Sequence, residues 1–336
     1  MPARPCIWVS IRVGWSIGSL LAGGLARDTV GEMSASERPP AVLIVNPNAG
    51  RMPEKERAAV VETLSQRFAL EVLGTTERED GIALGADAAD AGASLVIAYG
   101  GDGHVNEVIN GIAGSTAALG IIPGGTMNVL ARALNVPLDP LEAIEHLMGK
   151  LEGEPRMLSL GQMDGRYFAS SAGCGFDAEA AERVEEYLNS KRRFGQMYFF
   201  WSAFRVLAGT YRHRNPSMVL HGEFGDVPVA MAIACKAGPY AYFVGRPIDL
   251  APEVSLDAGL DVFALKRMRI EALPFYVLRV LTDRVSSHGD AFYQHDLDKF
   301  EITADEPFSR HVDGEPLGRS TSASFTFVRD ILRVCA

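Results

Sequence analysis

The chain has 336 residues, enough for two domains and too many for one small core. Its 47% hydrophobic and 22% charged residues are ordinary globular values and exclude a disordered or fibrous chain. The formal charge of −10 argues against nucleic acid as a partner, because neutralising phosphates takes a concentrated basic surface.

Cys6, Cys174, Cys235 and Cys335 are far apart and form no C-x-x-C or Cys/His cluster. Neither a zinc site nor a disulfide framework is signalled, and a reducing cytosol is the expectation. Ile7 to Leu25 is apolar but carries Arg12 and several glycines, which makes it a poor membrane span. A signal-like leader and a translation start at Met33 both remain open for residues 1–39.

Ala41 to Val45 reads as a buried strand that runs into the turn cluster Asn46-Pro47-Asn48-Ala49-Gly50. A helix with apolar residues at Ala58, Val61, Leu64 and Phe68 follows over Glu54 to Phe68. Ala69 to Gly74 is the next strand, leading through Thr75 and Thr76 to an alanine-rich helix, Gly81 to Ala91. Leu95 to Tyr99 and Gly120 to Ile122 are further strands, and Leu141 to Met148 a closing helix. Strands alternating with helices imply a parallel sheet with ligand at the carboxyl ends of the strands.

From Met157 the texture changes to short β-type runs: LSLGQM, RYFASSAG, MVLHGEF, VPVAMAIAC, DVFAL, KFEITA and SFTFV. This predicts an antiparallel sandwich. Helices are expected at Phe194 to Leu207 and Ile270 to Val285. The fold class is thus a Rossmann-like parallel-sheet nucleotide domain over residues 40–155 and a β-sandwich substrate domain over 156–336, whose last strands could return to the first domain.

Two glycine-rich turns, Gly100 to Gly103 and Gly124 to Gly125, each follow a strand and precede a helix-like segment. Such turns present bare N–H groups and a positive dipole end, which suits phosphate. The sequence contains neither G-x-x-x-x-G-K-[ST] nor the dinucleotide spacing G-x-G-x-x-G at these turns. Asp102, between glycines, suits a water-mediated role beside a metal–phosphate pair.

The ordered set NPNAG, GGDGHVNEVINGIAG, IIPGGTMNVLARALNVP, SAGCGFDAEA and VDGEP resembles the diacylglycerol kinase catalytic family, from Ala41 to the C-terminus. The GGDG element alone is shared with NAD kinases and phosphofructokinases. The resemblance implies transfer of the ATP γ-phosphate, with Mg2+, to the hydroxyl of diacylglycerol or a related lipid alcohol. The cleft would lie between the two domains. By motif position Asn46, Pro47, Asn48 and Gly50 would line the phosphates. Thr76, Gly100, Gly101, Gly103, His104, Asn106, Gly125, Thr126 and Asn128 would contact the nucleotide. Asp102 would order magnesium-linked waters, and the DGE element would supply the proton acceptor, with Glu315 favoured and Asp313 as rival or metal partner. The Asp-Gly pair alone also reads as a plain hairpin turn.

The sequence departs from the family pattern at three places. His104 stands where threonine is usual, Ser159-Leu160-Gly161 lacks an aspartate of the metal network, and Ala258 replaces an acidic residue of a segment that holds a structural metal in some members. That metal is not expected here. A lipid at the membrane surface is the expected partner and the cytoplasmic face of the inner membrane the expected place, with nucleic acid excluded and a homodimer left open. Two alternatives stay alongside: an NAD-kinase-like enzyme with a soluble substrate, and a non-catalytic nucleotide or lipid binder. The aromatic face of Phe194 to Leu207, between Lys191-Arg192-Arg193 and Arg212-His213-Arg214, reads first as core packing and second as a membrane-docking face.

Overall fold

The computed structural model describes residues 38–47, 53–179, 218–243, 246–267 and 289–336. Asn48, Gly50, residues 1–37, the Phe194 to Leu207 segment with its basic flanks, and the helix expected at Ile270 to Val285 lie outside them.

The first part alternates strand and helix. β1 (Pro40–Val45), β2 (Ala69–Gly74), β3 (Leu95–Gly100) and β4 (Ala118–Pro123) are separated by α1 (Glu54–Arg67), α2 (Asp80–Asp90) and α3 (Asp102–Ile112). They pair in parallel in the order β4-β3-β1-β2. α4 (Val129–Ala133) and α5 (Pro140–Lys150) follow. Pro at the first helical position and the Asp139 carboxylate, which accepts from Leu141 N at 2.9 Å and Glu142 N at 3.1 Å, start α5.

β1, β3 and β4 are apolar on both faces because helices cover both. Leu43, Val45, Ile97 and Tyr99 face α1 and α5 through Val60, Leu64, Ile144 and Leu147. Their sequence neighbours Val42, Ile44, Val96 and Ala98 face α2 and α3 through Ala88, Val105, Val108, Ile109 and Ile112. The period-2 alternation of a strand thus serves two cores at once.

The second part is antiparallel. β5 (Arg156–Met163), β6 (Arg166–Phe168), β7 (Ser171–Gly175), β8 (Met218–Gly222), β9 (Gly225–Val229), β10 (Met231–Cys235) and the small hairpin β11 (Ala241–Phe243) and β12 (Arg246–Ile248) come first. β13 (Leu260–Leu265), β14 (Ala291–Leu297), β15 (Lys299–Val312) and β16 (Glu315–Val334) complete it. The sheet path runs β14-β13-β10-β7-β15-β16-β4-β3-β1-β2, so both parts share one continuous sheet. β16 makes the join: it pairs antiparallel with β15 and β5, and its end lies parallel to β4, with Arg333 opposite Ala118 and Val334 opposite Leu119.

The architecture is the expected parallel α/β part followed by antiparallel strands. Short runs such as KFEITA and SFTFV mark only the most regular stretches of the 14-residue β15 and the 20-residue β16. A bulge between Thr303 and Phe308 interrupts β15 and hides its length from a period-2 pattern.

α2 and α3 cross backbone against backbone. A Cβ at Gly111 would lie 2.5 Å from Ile82 O and 2.9 Å from Gly85 Cα, and main chain has no rotamer to escape into. Gly111→Ala is expected to lower the unfolding free energy in urea by at least about 2 kcal/mol. Gly149 on α5 has nothing within 4 Å of such a Cβ, so Gly149→Ala should raise it by roughly 0.5–1 kcal/mol.

Candidate active site

The four parallel strands end on one edge. β1 delivers Asn46 and Pro47, β2 delivers Thr75 and Thr76, β3 delivers Gly100 to Gly103, and β4 delivers Gly124 to Asn128. Gly124 N donates to Gly100 O at 2.8 Å, and a Cβ on Gly125 would come within 2.6 Å of Gly101 Cα. Glycine at both positions is what lets the two turns close on each other. Asn128, at φ 50°, locks the second turn by accepting from Gly125 N and donating to Gly125 O, both at 3.0 Å. Thr126 is exposed on this turn and Thr75 is buried, while Thr76 donates through N and Oγ1 to Asp80 Oδ2 at 2.7 and 2.9 Å.

α3 holds the rest together, since the polar residues on it reach several neighbouring elements. Asp102 accepts from Asn128 N at 2.8 Å and Val129 N at 2.6 Å, tying the first turn to the second. Burial, aided by the Asp313 carboxylate, raises its pKa above the ordinary aspartate value against the pull of those donors. Glu107 accepts from Glu79 N at 2.9 Å and Gly81 N at 3.1 Å and so caps α2. Asn110 accepts from Tyr167 N at 2.8 Å, and Asn106 donates to Tyr167 O and to Asp313 Oδ2, each at 2.8 Å.

His104 does not face the open side of the glycine turn. Its ring is buried against β1, with Nε2 bonded to Ile44 O at 2.9 Å and Nδ1 without a partner among the described residues. Burial lowers its pKa, so the ring is neutral and Nε2 is the donor. The imidazole helps to fasten α3 to the sheet.

The second part contributes one hairpin turn. Asp313 and Gly314, at φ 46° and 84°, connect Val312 to Glu315, the left-handed pair that a two-residue hairpin requires. The turn therefore has the plain conformation its dipeptide suggests, and it also carries the site's carboxylates. Asp313 Oδ1 accepts from Ser170 N, Ser170 Oγ and Ser171 N at 2.9, 2.5 and 2.8 Å, and Oδ2 accepts from Ala169 N at 3.0 Å and Asn106 Nδ2. Five donors exceed the roughly four lone-pair sites of a carboxylate, so Asp313 is fully engaged in holding the hairpin to α3 and to the turn before β7. Glu315 instead lies on the glycine turn: a Cβ at Gly103 would overlap its Oε1. A small cleft between the parts is lined by Asp102, Asn106, Asn128, Ala169, Ser170 and Asp313.

Sequence reasoning missed Ser170, Asn110, Glu107, Arg166, Lys236 and Arg78. Arg166 Nε donates to Asn106 Oδ1 at 3.3 Å, and Arg78 Nη2 lies 3.3 Å from Glu315 Oε2. No local signal marks such residues, because their partners are remote in the chain. Only the spacing of Asn106 and Asn110, one helical turn apart, hinted that they share a face.

The segment with Ala258 is organised by a lysine. Lys236 is fully buried, and its Nζ donates to Ser255 O at 3.0 Å and Leu256 O at 2.7 Å. Ser159 Oγ accepts from Asp330 N at 3.1 Å and so braces β16. His295 and His311 are each bonded to a buried aspartate, Asp261 at 2.7 Å and Asp177 respectively.

Among the described residues no group of three or more His, Cys, Asp or Glu side chains could cage a metal ion.

Residues 40–163 match the diacylglycerol kinase catalytic domain. Over 302 residues the chain is 36% identical to a diacylglycerol kinase of Staphylococcus haemolyticus, covering 87% of this chain and 87% of that protein. It is 30% identical over 286 residues to a Pseudomonas fluorescens protein named "Probable lipid kinase YegS-like", covering 84% of this chain and 90% of that protein. A solved diacylglycerol kinase structure from Bacillus anthracis superposes with a TM-score of 0.68 at 24% identity, over 89% of this chain and 97% of that chain. At that identity the likeness is one of fold.

Two outcomes follow from this geometry. Gly103→Ala pushes on the flexible end of Glu315 rather than on backbone, so phosphotransfer should fall at least about tenfold while the melting temperature barely moves. Burial depresses the Lys236 pKa to about 8 from the ordinary 10.5. The unfolded chain therefore binds a proton that the fold does not, and stability should rise from pH 8 towards 10. Unfolding of the wild type compared with Lys236→Met across that range isolates the effect, which the shift limits to about 3 kcal/mol.

Proposed function

The chain belongs to the diacylglycerol kinase catalytic-domain family of lipid kinases, and we propose that it transfers the γ-phosphate of ATP to the hydroxyl of diacylglycerol or a closely related lipid alcohol at the membrane surface. The observation that carries this reading is the seating of Glu315, from the antiparallel part, on Gly103 of the glycine turn. A carboxylate there can accept a proton from a hydroxyl aimed at a phosphate on the α3 N-terminus.

The residues divide the work. The paired glycine turns present N–H groups to the triphosphate, and Asp102 keeps the turns in register through its bonds to Asn128 and Val129. Asn46, Pro47, Thr76 and Thr126 border the same edge. Magnesium, when bound, neutralises charge on the β- and γ-phosphates. The acceptor oxygen bonds to the γ-phosphorus as the bond to the bridging oxygen breaks. The electron pair leaves with ADP, and the hydroxyl proton passes to Glu315. Asp313, with both oxygens engaged, positions the hairpin that carries Glu315 and leaves proton acceptance to it. Among the described residues no helix is long and apolar enough to cross a membrane.

The test is radiolabelled Mg-ATP with vesicles containing dioleoylglycerol, followed by separation of the lipids. Label in phosphatidic acid is expected, and Glu315→Gln should reduce it about 10²- to 10⁴-fold with an unchanged fold. Absence of label from this and every other lipid alcohol offered to folded protein overturns the reading.

A further inference from the structure

Arg78 lies on the loop between β2 and α2, outside every motif identified in the sequence. Its Nη2 is 3.3 Å from Glu315 Oε2 and donates to Pro316 O at 2.5 Å. The other Glu315 oxygen rests on Gly103. The carboxylate assigned to proton transfer is therefore held between the glycine turn and a guanidinium from the β2–α2 loop.

The root of this arginine is fixed and its tip is accessible. On one side Asp80 Oδ2 accepts from Thr76 N and Glu77 N at 2.7 and 2.8 Å, and on the other Glu107 accepts from Glu79 N and Gly81 N at 2.9 and 3.1 Å. Glu107 belongs to α3, so the Arg78 loop is indexed to the helix that carries the glycine turn. The Arg78 side chain is 44% exposed and that of Glu315 29%. An exposed ion pair of this kind adds little to stability, too little to explain such a firmly built loop as a staple alone.

We propose that Arg78 is a phosphate-binding residue of the transfer step: when a nucleoside triphosphate occupies the glycine turns, the guanidinium moves from Glu315 to the terminal phosphate. The proposal rests on the kinase reading above. A terminal phosphate carries more charge than a carboxylate and offers the guanidinium a bidentate partner, so it outcompetes Glu315. Leaving Glu315 does two things at once. It places a cation on the phosphoryl group as charge redistributes, and it releases the carboxylate from the guanidinium so that it can take the hydroxyl proton. Without nucleotide the pair holds the acceptor carboxylate in readiness on Gly103.

The experiment compares wild type, Arg78→Ala and Arg78→Lys in two assays. In the first, calorimetry with Mg-ADP and with a non-hydrolysable ATP analogue reads the γ-phosphate contact without any lipid. Arg78→Ala is expected to weaken the analogue about 10- to 100-fold and ADP less than about threefold, with Arg78→Lys between. In the second, lipid phosphorylation, the Arg78→Ala kcat should fall about 10²-fold while the lipid KM is little changed. Equal losses for ADP and the analogue, or no loss for either, overturn the proposal and leave Arg78 as a staple of the hairpin. If Arg78→Ala does not fold, Arg78→Lys keeps the charge, loses the fork and must still weaken the analogue selectively. Wild type that binds the analogue in an Arg78-dependent way but labels no lipid overturns the kinase reading and supports the phosphate contact. Wild type that binds neither nucleotide overturns both.

Discussion

The candidate site depends on one carboxylate whose two oxygens are both engaged by neighbouring donors. Asp313 gathers five donors, three from backbone N–H groups of Ala169, Ser170 and Ser171, one from the Ser170 hydroxyl and one from Asn106 of α3. The hairpin that carries Glu315 is thereby fastened to the helix that carries the glycine turn. Hydrogen bonds to an ionised group are shorter and stronger than neutral ones. Losing the carboxylate would strand several partly buried donors at once, a cost that falls on each of them. This connection helps to set where Glu315 lies against the glycine turn.

α3 extends the same logic. A helix with aspartate, histidine, two asparagines and a glutamate in 11 residues is a poor candidate for a buried position on composition alone. Much of it is buried nonetheless, because its polar side chains reach partners on several elements: Asp102 the second glycine turn, His104 the β1 backbone, Asn106 the hairpin and Glu107 the start of α2. Buried polar groups cost little when satisfied and much when not. The cost of displacing α3 is therefore spread over four elements, which makes it a rigid platform for the turn at its N-terminus.

The parallel half was legible in the sequence because its signals are local. Apolar runs, glycine turns and helical spacing place β1 to β4, α1, α2 and α5 within a residue or two. The antiparallel half was legible as texture only, since the bulge in β15 and the return of β16 to β4 depend on pairing between remote residues. The site divides in the same way. Glycines that need a close approach advertise it in their spacing, and the DGE turn in its dipeptide. The partners of those elements, Ser170, Glu107 and Arg78, are common residue types in unremarkable settings. His104 shows the limit from the other side, because a residue inside a strong motif need not face the same way as the motif.

The charge pattern explains how an acidic cleft can receive a polyanion. Asp102, Asp313 and Glu315 lie at the glycine turns or the cleft beside them, three carboxylates where a triphosphate is proposed to bind. Two of them are occupied by donors held by the fold, whose dipoles screen the carboxylate charge towards the cleft. Glu315 is paired instead with the partly exposed Arg78 guanidinium, the cation proposed to turn to the phosphate. Binding therefore does not have to overcome three free charges. On that proposal it exchanges one ion pair for another, and the carboxylate left behind by the exchange is the one proposed to accept a proton.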